Sequence, residues 1–371
     1  MPSAIVVGAG VFGSSLASLL ARSGWEVTIV DKYPPGHDRA ASGDESRLIR
    51  FSHGADRWYT RSARRALQLW RELEEETGTA LFEQVGIAWL AVSDNGWEAE
   101  SERVLREEEI PVERLAPDAG SDLFPSFDGA GLAFILLEPE AGIMRARDAT
   151  RALFAQAVGH GGRHVQGTAR PAGDGVEVDG QTLHADRVVW ACGGWLARLF
   201  PGLVSLRVTK QDVLYFDGSI EWQTPPVPGW VEYDHAFYGV GNLDGRGVKV
   251  APDREGPDFD PDADDRKLSS DSEPLARSFI TRRFPGLGDA PLIWARPCPY
   301  ALTVDTNFIV AQHREHENVW ILGGGSGHGF KHGPALAEYV LGLLEEASEP
   351  DPRFGLGPRE PDRSLRTAGH R

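Results

Sequence analysis

The chain has 371 residues and a formal net charge of −17. That length exceeds one ordinary domain and predicts two, while the charge argues against nucleic acid or an anionic membrane as a partner, because both would repel the average surface. The apolar (41%) and charged (25%) fractions are those of a globular protein, and two cysteines, Cys192 and Cys298, make no disulfide framework.

No basic stretch with an apolar leader precedes the first strand pattern, and no apolar run reaches the roughly 18 residues that span a bilayer. A cytoplasmic location without membrane association is expected. Lysine is scarce: five (Lys32, Lys210, Lys249, Lys267 and Lys331) against 33 arginines. Lysine is a compact charge whose pKa shifts on burial, which arginine cannot match. Lys267, in an acidic stretch, reads as a chance surface lysine.

Ala4 to Val7 predicts a buried parallel strand. A glycine turn follows, then a helix over 14–23 closed by Gly24, and a second strand over 25–31. Residues 55–77 read as a long helix closed by Gly78, and 87–92 as a strand. A helix over 146–158 precedes a strand over 182–191 that runs into Cys192-Gly193-Gly194-Trp195. Segments 208–216 and 237–250 alternate as antiparallel strands do. Residues 253–271, rich in Asp and Pro, read as a solvated loop without function. Strands are expected over 307–310 and 319–322, and a helix over 334–346 with Pro in its first turn. The tail from Ser348 is polar and Pro-rich, so it is expected to wrap the surface or stay disordered.

Strands of parallel character thus fall at the beginning, middle and end of the chain, with antiparallel stretches between. The expected fold is a discontinuous Rossmann-type domain (1–80, 141–205 and 304–371) with a second, mixed antiparallel-sheet substrate domain (81–140 and 206–303).

Gly8, Gly10 and Gly13 follow a strand and open a helix. The first permits a tight turn, the second lets the backbone approach a pyrophosphate, and the third allows close helix–strand packing. The helix N-terminus offers N–H groups to phosphates. Asp31, eighteen residues after Gly13, is positioned to bond a ribose hydroxyl.

Two further motifs follow in order: Arg296-Pro297-Cys298-Pro299-Tyr300 and, about thirty residues on, Gly325-Ser326-Gly327-His328-Gly329-Phe330-Lys331. Together with the glycine fingerprint they resemble the monomeric sarcosine oxidase and N-methyltryptophan oxidase family, FAD-dependent amine oxidases of the D-amino acid oxidase superfamily. The similarity runs from residue 1 to about 355. Residues 186–195 look like that family's second nucleotide-proximal segment, and Ser42 to Arg50 like its flavin-covering loop.

The resemblance implies FAD held by Lys32, Ser42, Gly327, Gly329, Phe330 and Lys331 as well as by the fingerprint. It implies a thioether from Cys298 to the flavin 8α-methyl carbon, although Pro299 departs from the family pattern. Arg47 would sit beside the flavin. Arg50 and Lys331 would hold a substrate carboxylate through charge-assisted hydrogen bonds. Lys249 would lie on the opposite flavin face and stabilise superoxide as oxygen is reduced. Tyr238 and Tyr300 match pocket tyrosines. The family commonly has His four residues after that lysine, where this chain has Asp253. That puts sarcosine itself in doubt: an acidic group there suits a cationic amine or a second basic group, or it faces solvent. No metal is implied.

The activity implied is oxidation of an amino acid's C–N bond to an imine, with oxygen reduced to hydrogen peroxide, by a monomer acting on a small molecule. Two rival readings are a biosynthetic oxidase of a bulky, cyclic or aromatic amino or imino acid, and a flavin dehydrogenase with a protein electron acceptor. A third is a dinucleotide-binding protein without catalysis, against which Arg50, Lys249, Cys298 and Lys331 argue.

Overall fold

A computed structural model describes residues 1–361, so the last ten residues of the expected loose tail lie outside the described residues. The apolar run near the N-terminus forms the strand Ser3–Val7 inside a six-stranded sheet. The sheet order is Ile309–Gln312, Val319–Gly323, Arg187–Trp190, Ser3–Val7, Glu26–Asp31 and Arg163–Gln166. Consecutive strands are parallel, except that Ile309–Gln312 runs antiparallel to Val319–Gly323. The strand expected over 307–310 is therefore displaced and reversed. Asp305 accepts from the Asn307 N–H at 3.1 Å, which holds the start of that segment in a turn.

Helices Val11–Arg22 and Gly333–Leu344 cover this sheet. Leu16 and Leu20 from the first, and Leu336 and Val340 from the second, share one core with Val6, Val27 and Ile29. Such burial of whole aliphatic side chains contributes roughly 1.5–3 kcal/mol each.

An eight-stranded sheet forms the second layer system. Its order is Leu292–Leu302, Arg207–Phe216, Val248–Pro252, Phe237–Val240, Gly229–Glu232, Ile87–Ala91, Phe134–Glu138 and Glu113–Leu115. All pairs are antiparallel apart from Gly229–Glu232 with Ile87–Ala91. Ile87, Trp89 and Ala91 face a core shared with Leu67 and Trp70 of the helix Arg57–Thr77. Ala88 and Leu90 face the other way, toward Phe279 and Ile280 of the helix Ser272–Arg283. The twofold alternation of a strand thus serves two cores at once.

Several sequence expectations need correction. The strand expected over 182–191 is two, Gln181–Leu183 in a small meander and Arg187–Trp190 in the parallel sheet. Asp186 between them turns away to accept from the Ser3 N–H and hydroxyl at 2.7 and 2.8 Å. The stretch 237–250 breaks into Phe237–Val240, Asn242–Leu243 and Val248–Pro252. Asp244, Gly245 and Gly247 between the last two take φ of 54°, 72° and 92°, which no strand allows. The long helix starts at Arg57 because Asp56 caps it, accepting from Trp58 N at 3.0 Å. Residues 348–361 are tied down: Phe354 is fully buried in the first core, and Arg359 donates to Asp305 at 2.9 Å. No helix among the described residues is long and apolar enough to cross a membrane.

Candidate functional site

The glycine turn is held by geometry that excludes larger residues. Gly8 takes φ +112° and donates to Val30 O at 2.8 Å. A Cβ on Gly8 would lie 2.5 Å from Ala191 O, and one on Gly13 only 1.8 Å from Gly8 O. The helix Val11–Arg22 starts at once, so its first N–H groups face the groove. Asp31 accepts from Ala9 N at 2.6 Å and Tyr33 N at 2.8 Å, tying the second strand to the glycine turn. Burial raises its carboxyl above the usual range against these hydrogen bonds.

The groove continues past Gly10, Asp31, Lys32 and Ser42 to Cys298, Tyr300, Gly327, Gly329 and Phe330. Its glycine cradle, helix N-terminus and buried acid fit a dinucleotide at one end. The far end is walled by aromatic and small residues. A Cβ on Gly329 would stand 2.7 Å from the Phe12 ring, so this wall too requires glycine.

The Asp- and Pro-rich segment is not merely a solvated loop. Asp262 lines the groove and accepts from Tyr33 Oη at 3.0 Å, Trp195 Nε1 at 2.9 Å and Arg198 at 2.7 Å, with Lys32 Nζ 3.6 Å away. Burial opposes the charge of Asp262, but these donors win and lower its carboxyl to about 2. Its partners lie far off in sequence, and only the acidity of the segment hinted at it. Lys267 is exposed and pairs with Asp265 at 3.4 Å, as a surface lysine should.

The Ser42 to Arg50 segment is not a loop throughout: Ser46–Ile49 is a strand paired with Gly142–Arg145. This pairing fixes Arg47 and, just past the strand, Arg50. Arg47 Nη2 lies 3.4 Å from Cys298 Sγ, and Cys298 is 1% exposed.

A second cleft is lined by Arg50, Lys331, Asp253, Tyr238, Trp89, Tyr233 and Phe237. Arg47, Tyr300, Gly327 and Phe330 line both clefts, so the two meet there. Arg50 donates to Ser52 O and lies 4.9 Å from the Trp89 ring. Lys331 Nζ donates to His328 O at 2.9 Å, and both cations are buried. Asp253 is anchored at the end of its strand by its backbone N–H, which donates to Ala236 O at 2.6 Å.

Glu138 positions Arg50 from behind. It is fully buried and accepts from Phe51 N (2.5 Å), Ser52 N (3.2 Å) and Trp89 Nε1 (2.6 Å). Replacing Glu138 with Ala strands three buried donors. The expected loss is about 3 kcal/mol or more of stability, measured as a fall in the denaturant midpoint.

Lys249 does not reach the second cleft. It lines a small separate one with Ser46, Tyr215 and Arg246. Its Nζ donates to Asp44 Oδ2 at 2.6 Å and Ser46 O at 2.9 Å. Arg47 also pairs with Asp44, so Cys298, Arg47, Asp44 and Lys249 form one buried chain of contacts. Burial lowers the Lys249 ammonium to about 8, against the opposing pull of Asp44. Burial disfavours the Asp44 anion, yet Lys249, Arg47 and Arg296 outweigh it and hold the carboxyl well below the usual range.

Among the described residues, ring nitrogens of His53, His328 and His332 lie within 4.8 Å of one another, as in a metal site. The His328-x-x-x-His332 spacing was the only sequence signal for this group. Burial, then the charges of Lys331 and Arg50, push His53 and His332 well below the usual range, so both rings are neutral. A divalent ion would add charge beside two buried cations with no carboxylate in the group, which is costly. The rings instead pack: His53 stacks on Tyr59 with centroids 5.3 Å apart, and His332 Nδ1 lies 3.0 Å from Ser62 Oγ.

A family model described as FAD-dependent oxidoreductase (DAO) matches residues 3–343. The chain is 28% identical to monomeric sarcosine oxidase of Bacillus sp. (strain B-0618), over 91% of each chain. It is 29% identical to peroxisomal sarcosine oxidase of Mus musculus, over 96% of this chain and 94% of the relative. Among solved structures, L-proline dehydrogenase from P. horikoshii superposes with a TM-score of 0.83 at 20% identity, covering 96% of each chain.

Proposed function

The chain belongs to the FAD-dependent oxidoreductase family, and on that premise we propose that it oxidises the C–N bond of an amino acid to an imine and passes the electrons to oxygen, yielding hydrogen peroxide. The observation that carries this reading is a cleft lined by two buried cations, Arg50 and Lys331, which meets the nucleotide groove at Arg47, Tyr300, Gly327 and Phe330. FAD, when bound, supplies the two-electron chemistry.

The protein's own groups orient the substrate. Arg50 and Lys331 hold the carboxylate by charge-assisted hydrogen bonds and so fix the α-carbon against the groove. Tyr238 and Tyr300 wall the reacting side. Asp253 shares the cleft and favours an amine or second basic group that carries positive charge. Trp89, Tyr233 and Phe237 supply an aromatic wall, which suits a bulky, cyclic or aromatic side chain better than sarcosine. Lys249 is the fixed cation for oxygen reduction. Cys298, beside Arg47, would hold the flavin covalently as a thioether at the 8α-methyl carbon; the C–S bond would replace a methyl C–H bond and the thiol S–H, with the two electrons taken up by the flavin and passed to oxygen. We further take the chain to act as a cytoplasmic monomer, with residues 1–80, 141–205 and 304–371 as its cofactor domain and 81–140 and 206–303 as its substrate domain.

Acid precipitation of the purified protein followed by visible spectra of pellet and supernatant tests the tether. Colour is expected in the pellet, and in the supernatant for Cys298→Ser. Colour in the wild-type supernatant would remove the role of Cys298. Oxygen uptake with N-methyl, cyclic, aromatic and basic amino acids tests the activity. Dye reduction without oxygen uptake would turn the reading to a dehydrogenase, and no turnover with any amine would end it.

A further inference from the structure

Asp44 has a place in the site that its sequence neighbourhood does not announce. Its carboxylate is fully buried and receives three donors. Lys249 Nζ (2.6 Å) and Arg47 Nη1 bond Oδ2, and Tyr215 Oη (3.0 Å) bonds Oδ1. Lys249 is held in turn on Asp44 Oδ2 and Ser46 O, with Ser46 Oγ at 3.5 Å. The lysine is thereby aimed in one direction, and among the described residues Asp44 is the carboxylate that bonds it.

We propose that Asp44 is the positioning residue that keeps Lys249 protonated and aimed, and so sets the pH above which oxygen reduction fails. The proposal rests on the reading of Lys249 as the cation for that step.

The argument is one of buried charge. Arg47 and Lys249 carry two positive charges into one largely buried space, and Asp44 supplies the negative charge between them. Without it the two cations would face each other uncompensated. Arginine does not give up its proton, so lysine must. The other groups around Lys249 cannot replace the acid. Tyr238 and Tyr215 present ring faces 5.4 and 6.0 Å from Nζ, and burial raises both phenols above their usual range, so both stay neutral. Arg296, on the strand with Cys298, adds a further positive charge near Asp44. Cys298 contacts Arg47, and as the proposed thioether it carries no charge. Glu45, Asp148 and Asp244 line the small cleft beside Lys249, but Arg145 and Arg246 line it as well, and Arg145 bonds Asp244 at 2.7 Å.

Five lysines in the chain make a direct reading practical. Protein labelled with 13Cε-lysine is titrated by NMR, with the Lys249 signal assigned from its absence in Lys249→Met. In parallel, the rate of flavin reoxidation by oxygen is followed against pH by stopped flow. In Asp44→Asn the Lys249 midpoint should fall by about 1–3 pH units, and the alkaline limb of the reoxidation profile should fall with it. Asp44→Glu, which keeps the charge, should return both most of the way. Tyr215→Phe, which removes a donor from Asp44 and leaves more of its charge to Lys249, should move both slightly upward. That variant also carries the test should Asp44→Asn fail to fold.

An unchanged Lys249 midpoint in folded Asp44→Asn, or no upward shift in Tyr215→Phe where Asp44→Asn does not fold, would overturn the proposal. If the midpoint shifts but Lys249→Met reoxidises like wild type, Asp44 still sets the lysine's charge, and it is the oxygen role of Lys249 that falls, taking the claimed pH limit with it.

Discussion

Replacing Lys249 with Met is expected to slow reoxidation of the reduced enzyme by oxygen about 10²–10³-fold, the cost of removing one preorganised electrostatic stabiliser. Reduction by substrate should change far less. The split follows from where the side chain lies. Lys249 lines neither the nucleotide groove nor the cleft of Arg50 and Lys331, and its contacts are Asp44, Ser46 and the faces of Tyr215 and Tyr238. It is therefore remote from the substrate's carboxylate, but joined through Asp44 and Arg47 to Cys298 at the groove. Oxygen reduction develops negative charge where none existed before, so a fixed cation acts mainly in that transition state. Methionine keeps the approximate length and packing of the side chain and removes the charge together with its hydrogen bonds to Asp44 and Ser46. Stopped-flow traces of the two half-reactions separate the effects, and an equal loss in both would reject the assignment. The pH dependence carries the same sign. With the ammonium lowered to about 8 by burial, the wild-type rate should hold below that pH and fall above it, and the fall should be absent in the methionine variant.

The parts of this site that were legible in the sequence are those with local signatures. The glycine turn is one, because Gly13 is forced by its contact with Gly8 inside a single strand–turn–helix unit, and Gly8 takes the positive φ of a tight turn, although its close neighbour is the distant Ala191. The long helix is another, because its apolar spacing and Gly78 stop lie along one segment. Arg50, Lys249, Cys298 and Lys331 came from motif resemblance rather than from periodicity. Asp44 lies within the Ser42 to Arg50 segment with no local signal for its role, since its partner Lys249 is 205 positions away. Asp262 is equally silent within its Asp- and Pro-rich segment, its bond to Tyr33 spanning 229 positions. Glu138 holds Phe51 from 87 positions off, a pairing that no local pattern carries. Charge pairing across such distances leaves no period to detect. The break at 184–186 is similar: apolar residues continue on both sides, and only the pairing of Asp186 with Ser3 shows where the chain changes sheet.

Replacing either Arg50 or Lys331 with Met is expected to lower kcat/KM for an amino acid substrate by about 30- to 1,000-fold, the equivalent of about 2–4 kcal/mol for a buried charge-assisted contact. Both side chains are buried at the same cleft, one behind Trp89 and the other on the Gly-His-Gly-Phe-Lys turn. A carboxylate between them accepts from both and is fixed in angle as well as in position. Losing one cation should therefore raise KM and also lower kcat, because the α-carbon is then free to stray from the groove. The two losses should not add, since either remaining cation holds the same group. The matching carboxamide substrate supplies the control. In the wild type it should lose about as much as the methionine variant loses with the acid, and combining amide and variant should cost little more. A full additional loss would show that the two cations act on something other than the carboxylate. An unchanged kcat/KM in both variants would move the substrate out of this cleft altogether, and with it the roles given to Asp253, Tyr238 and Tyr300.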